Sequence, residues 1–463
     1  MILNQYYIDC LSHASYLVAD EKTKRAIVVD PRRDITEYLD DAKSLGLTIE
    51  GVINTHFHAD FVSGHLEFAE ATGAWIGFGE AAETDYPIRR LAHGTHISLG
   101  DVDIEVLSTP GHTWESISLL IRETPDAQPT AVLTGDSLFI GDVGRPDLAN
   151  LGDSTNTDLA RAMFKTVHET LLKLPDDVKV MPAHGAGSSC GKNMSSELVS
   201  TIGAQRMTNP SVQPMSEDDF VKLITTGQPA IPGYFRADAD LNRRVHNVLG
   251  ESRPIRELSP EEARERLTDD KTVVIDTRDP EVFTAAHLDG SVNVGLGGRY
   301  AETCGMVASL TDPIVLVTPP GTESEGALRL ARIGYDNVVG FVPIDTDNGE
   351  FPDYLADLVR NGERVTVREL ADMLAEGAVT LIDVRNPGER EDGVIDGSLH
   401  IPLPQLGERV DEIPRDKPIV VHCRGGWRSC VAASLLRSRG HNEISDLIGG
   451  YEAWELEGPV VTR

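Results

Sequence analysis

The sequence predicts an α/β protein built in three parts. Three observations carry that prediction: the length, an alternation of short apolar runs with helical stretches in the first half, and an internal repeat in the second. At 463 residues the chain is too long for one ordinary core, and about three domains are expected from length alone.

The first half reads strand by strand. Ala26–Val29 is an apolar run ending at Asp30-Pro31. Ile49–Ile53 is the next, and it runs into Thr55-His56-Phe57-His58-Ala59-Asp60-Phe61-Val62-Ser63-Gly64-His65. His65–Thr72 has helical character and stops at Gly73. Ile97–Leu99 and Ile104–Leu107 flank Gly100-Asp101, a hairpin signal. Ala131–Leu133 leads into Thr134-Gly135-Asp136. Asp158–Leu174 has helical periodicity and ends before Pro175. Val178–Met181 leads into Pro182-Ala183-His184-Gly185. Several strands thus end on His or Asp beside Gly, which is how a strand layer delivers ligands to one rim. Residues 209–250, rich in Pro and polar residues, read as a connecting segment without a core of its own.

The second half repeats itself. Val273–Glu281 resembles Thr380–Glu389, His287–Val294 resembles Val394–Ile401, and Pro313–Thr318 resembles Pro418–Cys423. The offset is 107 residues at the aspartates Asp276 and Asp383 and 105 at the prolines Pro313 and Pro418. Two copies of this length predict two small domains, each a parallel sheet with helices on both faces.

Composition is that of a soluble globular protein, 40% hydrophobic and 25% charged. Forty-two basic against 74 acidic residues give a formal charge of −32, which argues against nucleic acid or an anionic membrane as a partner and reads as a solubility adaptation. There is no apolar stretch of about 18 residues to span a membrane. The start, MILNQYYIDC, has neither the basic region nor the long apolar segment of a secretory signal. Five cysteines (10, 190, 304, 423, 430) suggest no paired framework, so a reducing cytoplasm is the expected location.

The candidate metal ligands are His56, His58, Asp60, His112, Asp136 and His184. Imidazole and carboxylate suit zinc or iron, and no cysteine cluster points to an iron–sulfur centre. His65 lies within the following helix and reads as structural. His93, His96, His168, His246 and His441 have no strand-end context and read as ordinary surface or core histidines.

THFHAD, TPGHT, TGDSLF and PAHG resemble the metal motifs of the metallo-β-lactamase superfamily over residues 1–245. That resemblance implies an αββα sandwich with the site at the strand edges. Within the superfamily the chain looks most like the glyoxalase II-like persulfide dioxygenases, which implies one Fe(II) per chain on His56, His112 and Asp136. His58, Asp60 and His184 then line the pocket or support the ligands. Phe61 stands where a two-metal hydrolase carries a further histidine, and a phenyl ring cannot coordinate. Arg145 resembles a family residue near the thiol carrier, where a guanidinium pairs with a substrate carboxylate; an ordinary surface Arg is the alternative. Related dioxygenase–rhodanese fusions look similar at Cys10 and Cys190, leaving a redox role beside simple packing for each.

The second strong signal is Val420-Val421-His422-Cys423-Arg424-Gly425-Gly426-Trp427-Arg428-Ser429. A strand delivers a cysteine into a glycine-containing loop at a helix N-terminus, where inward-pointing N–H groups favour the thiolate. Arg424 and Arg428 are expected to add positive potential and attract an anionic sulfur substrate. With Asp383-Val384-Arg385 and Gly449-Gly450-Tyr451-x-x-Trp454, the loop resembles an active rhodanese over residues 363–463. Its six residues match the short loop associated with sulfur rather than phosphate. In the first copy Thr318 stands in place of Cys423 and acidic residues in place of the arginines, so residues 255–350 read as a catalytically dead copy. Cys304 does not replace the missing thiol.

Together these resemblances imply a persulfide dioxygenase fused to a sulfurtransferase. The expected partners are a low-molecular-weight thiol persulfide such as glutathione persulfide, O2, and sulfite or thiosulfate; a homo-oligomer is left open. The rivals are a two-metal thioester hydrolase of the glyoxalase II type and a sulfur-carrier protein with little turnover.

Overall fold

A computed structural model describes residues 1–148, 156–250, 255–344 and 351–458. The last residues of both repeat regions set out above, 345–350 and 459–463, lie outside the described residues. The described chain divides into two compact units, Met1–Arg253 with Arg332–Gly334, and Pro254–Ala331 with Tyr335–Arg463.

The first unit is two sheets laid face to face. One sheet has the order β1 (Ile2–Ile8), β2 (His13–Ala19), β3 (Arg25–Val29), β4 (Thr48–Ile53), β5 (Trp75–Gly79), β6 (Arg89–Leu91). The other runs, in chain order, β7 (His96–Ser98), β8 (Asp103–Ser108), β9 (Ile117–Arg122), β10 (Ala131–Gly135), β11 (Lys179–Pro182), β12 (Ser200–Thr201), each paired with the next. Strand alternation explains the layers. Tyr16, Val18, Ile27 and Val29 of the first sheet meet Ile104, Leu119, Ile121 and Leu133 of the second in the central core. The residues between them face outward: Leu17 and Val28 pack on Tyr38 and Ala42 of the helix Thr36–Leu45, and Leu120 and Val132 pack on Ala160 and Met163 of the helix Asn156–Lys165. This is the αββα sandwich that the motifs implied.

The helix at His65–Thr72 forms as expected and ends at Gly73 in the left-handed region, φ 73°. The helical stretch before Pro175 is less regular than its periodicity suggests: Asn156–Lys165 is α-helical, Thr166–Thr170 is a π turn, and Leu171–Lys173 is 3-10. The stretch 209–250 wraps onto the first unit and has no core of its own. It forms the helices Glu217–Thr225 and Phe235–Leu241, and Phe220 and Ile224 enter the outer core.

The second unit holds two parallel sheets. One has four strands, in the order Val292–Asn293, Val273–Asp276, Ile314–Thr318, Val338–Pro343. The other has five, in the order Glu363–Val365, Ile444–Leu447, Ile419–His422, Thr380–Asp383, Leu399–His400. The repeated Asp-x-Arg turns fold alike: Asp276 with Arg278, and Asp383 with Arg385, are fully buried ion pairs at 2.6 and 2.8 Å. Among the described residues no helix is long and apolar enough to cross a membrane.

Candidate metal centre and cysteine loop

Parallel pairing gathers the first site. β3 pairs parallel with β4, and β10 with β11, so Asp30, the Thr55–His65 loop, Asp136 and His184 all leave strands at one edge. The turn after β8 brings His112 to the same edge. Gly111 there approaches the helix Asn156–Lys165 so closely that a Cβ would lie 2.5 Å from the Cα of Met163. Gly144 is tighter still: its Cβ would sit 1.9 Å from the carbonyl oxygen of Asp136.

Three donor atoms converge. His56 Nε2 and His112 Nε2 lie 3.7 and 3.6 Å from Asp136 Oδ2. The three ligand atoms all fall within 4.8 Å of one another. His56 Nε2 and Asp136 Oδ2 are buried with no hydrogen-bond partner. An orphaned buried imidazole nitrogen beside an orphaned carboxylate oxygen is costly without an ion to satisfy them. Two imidazoles and one carboxylate are also the donor set of a mononuclear non-haem iron centre, so the residues fit such an ion.

Both histidines have their far nitrogens engaged. His112 Nδ1 donates to the Arg145 carbonyl at 2.7 Å. Thr55 Oγ1 donates to Asp30 Oδ2 at 2.9 Å and so is left to accept from His56 Nδ1 at 3.0 Å. With Nδ1 protonated in each ring, Nε2 presents a lone pair to the centre. Burial, then the neighbouring His58, drives the His56 imidazole well below its ordinary range, which keeps it neutral.

A second group adjoins the first. His58, Asp60 and His184 offer ligand atoms within 4.8 Å of one another. His184 bridges two carboxylates, with Nδ1 on Asp136 Oδ1 at 2.7 Å and Nε2 beside Asp60 Oδ2 at 2.8 Å. Burial alone would lower the His184 pKa, but Asp136 and Asp60 outweigh it and hold the ring well above the ordinary range. His58 turns its Nε2 to Asp30 Oδ1 at 2.9 Å, leaving Nδ1 without a partner. Phe61 is fully buried, its ring centroid 4.4 Å from that of His58.

Three participants escaped the sequence reading. His13, at the start of β2, is buried with its ring 4.2 Å from Phe61 and 5.4 Å from His184, and its Nε2 is unpartnered. Nothing near it in sequence marks it; a bridge pairing His13 with His184 brings it in. Asp30 was visible only as a strand end. Asn242, in the stretch read as a connection, donates to the carbonyls of His58 and Phe61 at 2.8 Å each and accepts from the Ser63 amide at 2.8 Å. It pins the whole histidine loop.

Of the two cysteines held open for redox chemistry, Cys190 is buried with its sulfur within 4.8 Å of ligand atoms of Asp136 and His184. Burial and the carboxylates of Asp60 and Asp136 push its thiol well above the usual range, so it is protonated. Cys10 is half-buried and not in that group. His65 is buried at the first turn of its helix, against Tyr86 and Phe78. Arg145 corrects expectation. It is 1% exposed, and its guanidinium is held by Asp147 at 2.6 and 2.7 Å and by the carbonyls of Ser189 and Pro229. It is not available for a substrate carboxylate; its backbone carbonyl holds His112 instead.

The cysteine loop forms as the motif suggested. Cys423 is 1% exposed, and the Gly426 amide donates to its sulfur at 3.2 Å. The helix Trp427–Ser438 starts there, with Gly426 at φ 97°. Gly450, at φ 59°, lets the following helix pass against the loop, and the Tyr451 amide donates to the Cys423 carbonyl at 2.7 Å. The arginines correct expectation. Arg428 is bound bidentately by Glu389 at 2.6 and 2.7 Å, so it does not stand free to attract an anion; Arg424 pairs with Glu452 at 2.8 Å at the surface. In the first copy Thr318 is buried, bonded to Thr277 and Thr322 at 2.7 Å each. Glu323 accepts from the Gly321 amide at 2.7 Å.

Comparison with known proteins agrees. The metallo-β-lactamase superfamily model matches residues 8–184, and the rhodanese-like domain model matches 259–342 and 366–457. A crystal structure titled metallo-β-lactamase from Staphylococcus aureus is 31% identical with a TM-score of 0.67, covering 74% of this chain and 99% of that one. The human mitochondrial persulfide dioxygenase ETHE1 is 27% identical over 230 residues, 48% of this chain and 80% of that protein. A β-lactamase hydrolase-like protein of Xylella fastidiosa is 27% identical over 251 residues, 48% of this chain; the match spans 54% of that protein's length. The chain belongs to the metallo-β-lactamase superfamily and carries two rhodanese-like domains in tandem behind that fold. The superfamily resemblance and the His/Asp clusters mark it as a metal-binding protein.

Proposed function

We propose that residues 1–245 form a persulfide dioxygenase domain, residues 363–463 a sulfurtransferase domain acting through Cys423, and residues 255–350 a silent copy. The observation that carries the first assignment is the convergence of His56 Nε2, His112 Nε2 and Asp136 Oδ2, two imidazoles and one carboxylate on one point. One Fe(II) bound there would supply the O2 chemistry that oxidises the outer sulfur of a thiol persulfide to sulfite, releasing the thiol. Glutathione persulfide is the proposed substrate.

The chain's own groups have separate tasks. Asp30 and Thr55 orient His56, and the Arg145 carbonyl orients His112. His184, held protonated between Asp136 and Asp60, fixes the rotamer of the ligand carboxylate. Phe61 and His13 cover the far side of the second group, and Cys190 places a protonated thiol beside Asp136. At the other centre, the Gly426 amide stabilises negative charge on the Cys423 sulfur.

The test is O2 uptake with glutathione persulfide, run beside metal quantitation. About one iron per chain, sulfite formation, and loss of both on His112→Ala are expected. The grouping of His58, Asp60 and His184 favours one alternative, a two-metal thioester hydrolase. About two zinc ions, no iron and thioester turnover would establish that in its place. Iron without O2 uptake, with Cys423 still accepting sulfur, would point to the sulfur carrier.

A further inference from the structure

We propose that Glu389 is a specificity residue of the cysteine loop, setting it for sulfane sulfur carried on a thiol persulfide over the dianion thiosulfate. This rests on the reading of Cys423 as a sulfur-transfer thiol.

A loop built for thiosulfate needs an uncommitted cation for the sulfonate. Arg428 is the natural one, in the first turn of the helix that the loop opens and close enough to feel the charge of Cys423. Its terminal nitrogens are both spent on Glu389, at 2.7 and 2.6 Å. That carboxylate is itself locked: Glu389 also accepts from the Asn386 amide at 2.9 Å, closing the capping box of the turn Pro387–Arg390. The pair is largely buried, with side chains 27% and 22% exposed, so it is a fixed, internally neutralised unit.

The neighbouring arginines of the described residues are mostly engaged elsewhere. Arg385 is consumed by Asp383, and Arg390 stands 3.8 Å from the same carboxylate with its Nη1 unpartnered. Arg364 is paired with Asp446 at 2.9 Å. Arg424 pairs with Glu452, both more than half exposed; that pair opens readily and discriminates little. A dianion entering the loop therefore meets an Arg428 whose charge Glu389 already cancels.

A persulfide brings one charge fewer to the sulfur being transferred. The Cys423 thiolate attacks the outer sulfur of R–S–SH. A new S–S bond forms to Cys423 as the carrier's S–S bond breaks, and the electron pair leaves on the carrier as RS⁻. The proton stays on the transferred sulfur, giving Cys423–S–SH, with no oxidant or reductant consumed.

The full-length protein is loaded with thiosulfate or with glutathione persulfide, and the rate at which Cys423 gains one sulfur is followed by mass spectrometry. Removing the carboxylate charge that cancels Arg428 should shift relative efficiency toward thiosulfate by about tenfold in Glu389→Gln. Glu389→Asp, which keeps the carboxylate, should stay close to the parent's donor ratio. An unchanged donor ratio in Glu389→Gln overturns the inference, as does a Glu389→Asp whose ratio shifts as far as that of Glu389→Gln. If neither donor loads Cys423, the sulfur-transfer reading itself fails. Glu389→Ala removes the same charge and decides if Glu389→Gln does not fold.

Discussion

Replacing Asp30 by asparagine should weaken the metal site while leaving the sandwich folded. Asp30 is 1% exposed and sits at φ 50°, a conformation that asparagine also tolerates, so the backbone cost is small. Its Oδ1 accepts from the Thr55 amide at 2.7 Å and His58 Nε2 at 2.9 Å, and its Oδ2 from the Thr55 hydroxyl at 2.9 Å. With the amide oxygen kept at the Oδ1 position, an NH2 faces the Thr55 hydroxyl and becomes the donor. The hydroxyl must then send its own proton to His56 Nδ1, which moves the ring proton onto Nε2, or leave that proton unpaired in the interior. Either outcome costs about 1–3 kcal/mol. At about 1.4 kcal/mol per factor of ten, that is roughly 5- to 150-fold in metal affinity, in line with the 10- to 100-fold typical of lost outer-sphere partners. The assay is competition with a chelator of known affinity, with thermal unfolding of the metal-free proteins as the control for folding. Thr55→Val should act through the same chain, so the double variant should lose less than the sum of the two. An affinity for Asp30→Asn within twofold of the parent, or full additivity with Thr55→Val, would refute the reasoning.

Gly450→Ala should abolish Cys423-dependent sulfur transfer and spare metal content: the new Cβ would lie 2.6 Å from the Cys423 carbonyl oxygen, at φ 59°. Phe61→His, next to the unpartnered His58 Nδ1 and Asp60 Oδ1, should raise bound metal from about one ion toward two per chain, measured by elemental analysis. Asp20 accepts from the amides of Lys22, Thr23, Asp101 and Val102, and these backbone donors, Thr23 first, hold its carboxyl far below the ordinary 3.8. A depressed carboxyl adds stability above about pH 4 and loses it as pH falls through the folded value, so Asp20→Asn should cost about 1–3 kcal/mol at neutral pH and less in acid, read from urea unfolding at both. Stripping the metal with a chelator should lower the thermal midpoint of the metal-sensitive transition by about 10 °C if metal had been present at about a thousand times its Kd.

Much of the architecture was legible because each signal was local. His65–Thr72 announced its helix and its glycine stop, and Gly100-Asp101 its hairpin. The β-strand ends announced themselves by carrying His or Asp beside Gly. The ten residues from Val420 to Ser429 specify a strand end, a loop and a helix start in one stretch. What stayed hidden depended on pairing across long separations. His13 enters only through its bridge to His184, and Asn242 reaches back 184 residues to the carbonyl of His58. Arg145 and Arg428 were visible as cations, but not the carboxylates that occupy them.

The sequence by itself determined the class of chemistry. Imidazole and carboxylate at strand ends mean a metal, and a thiol in a glycine loop at a helix start means sulfur nucleophilicity, because these follow from side-chain type and short-range spacing. The tertiary structure decided which atoms are free to use. A hydrogen bond on one ring nitrogen bares the other, and a carboxylate beside an arginine cancels it. Such partners are chosen by packing in three dimensions, so Thr55, Asp30 and Glu389 acquired their roles only when the chain was folded.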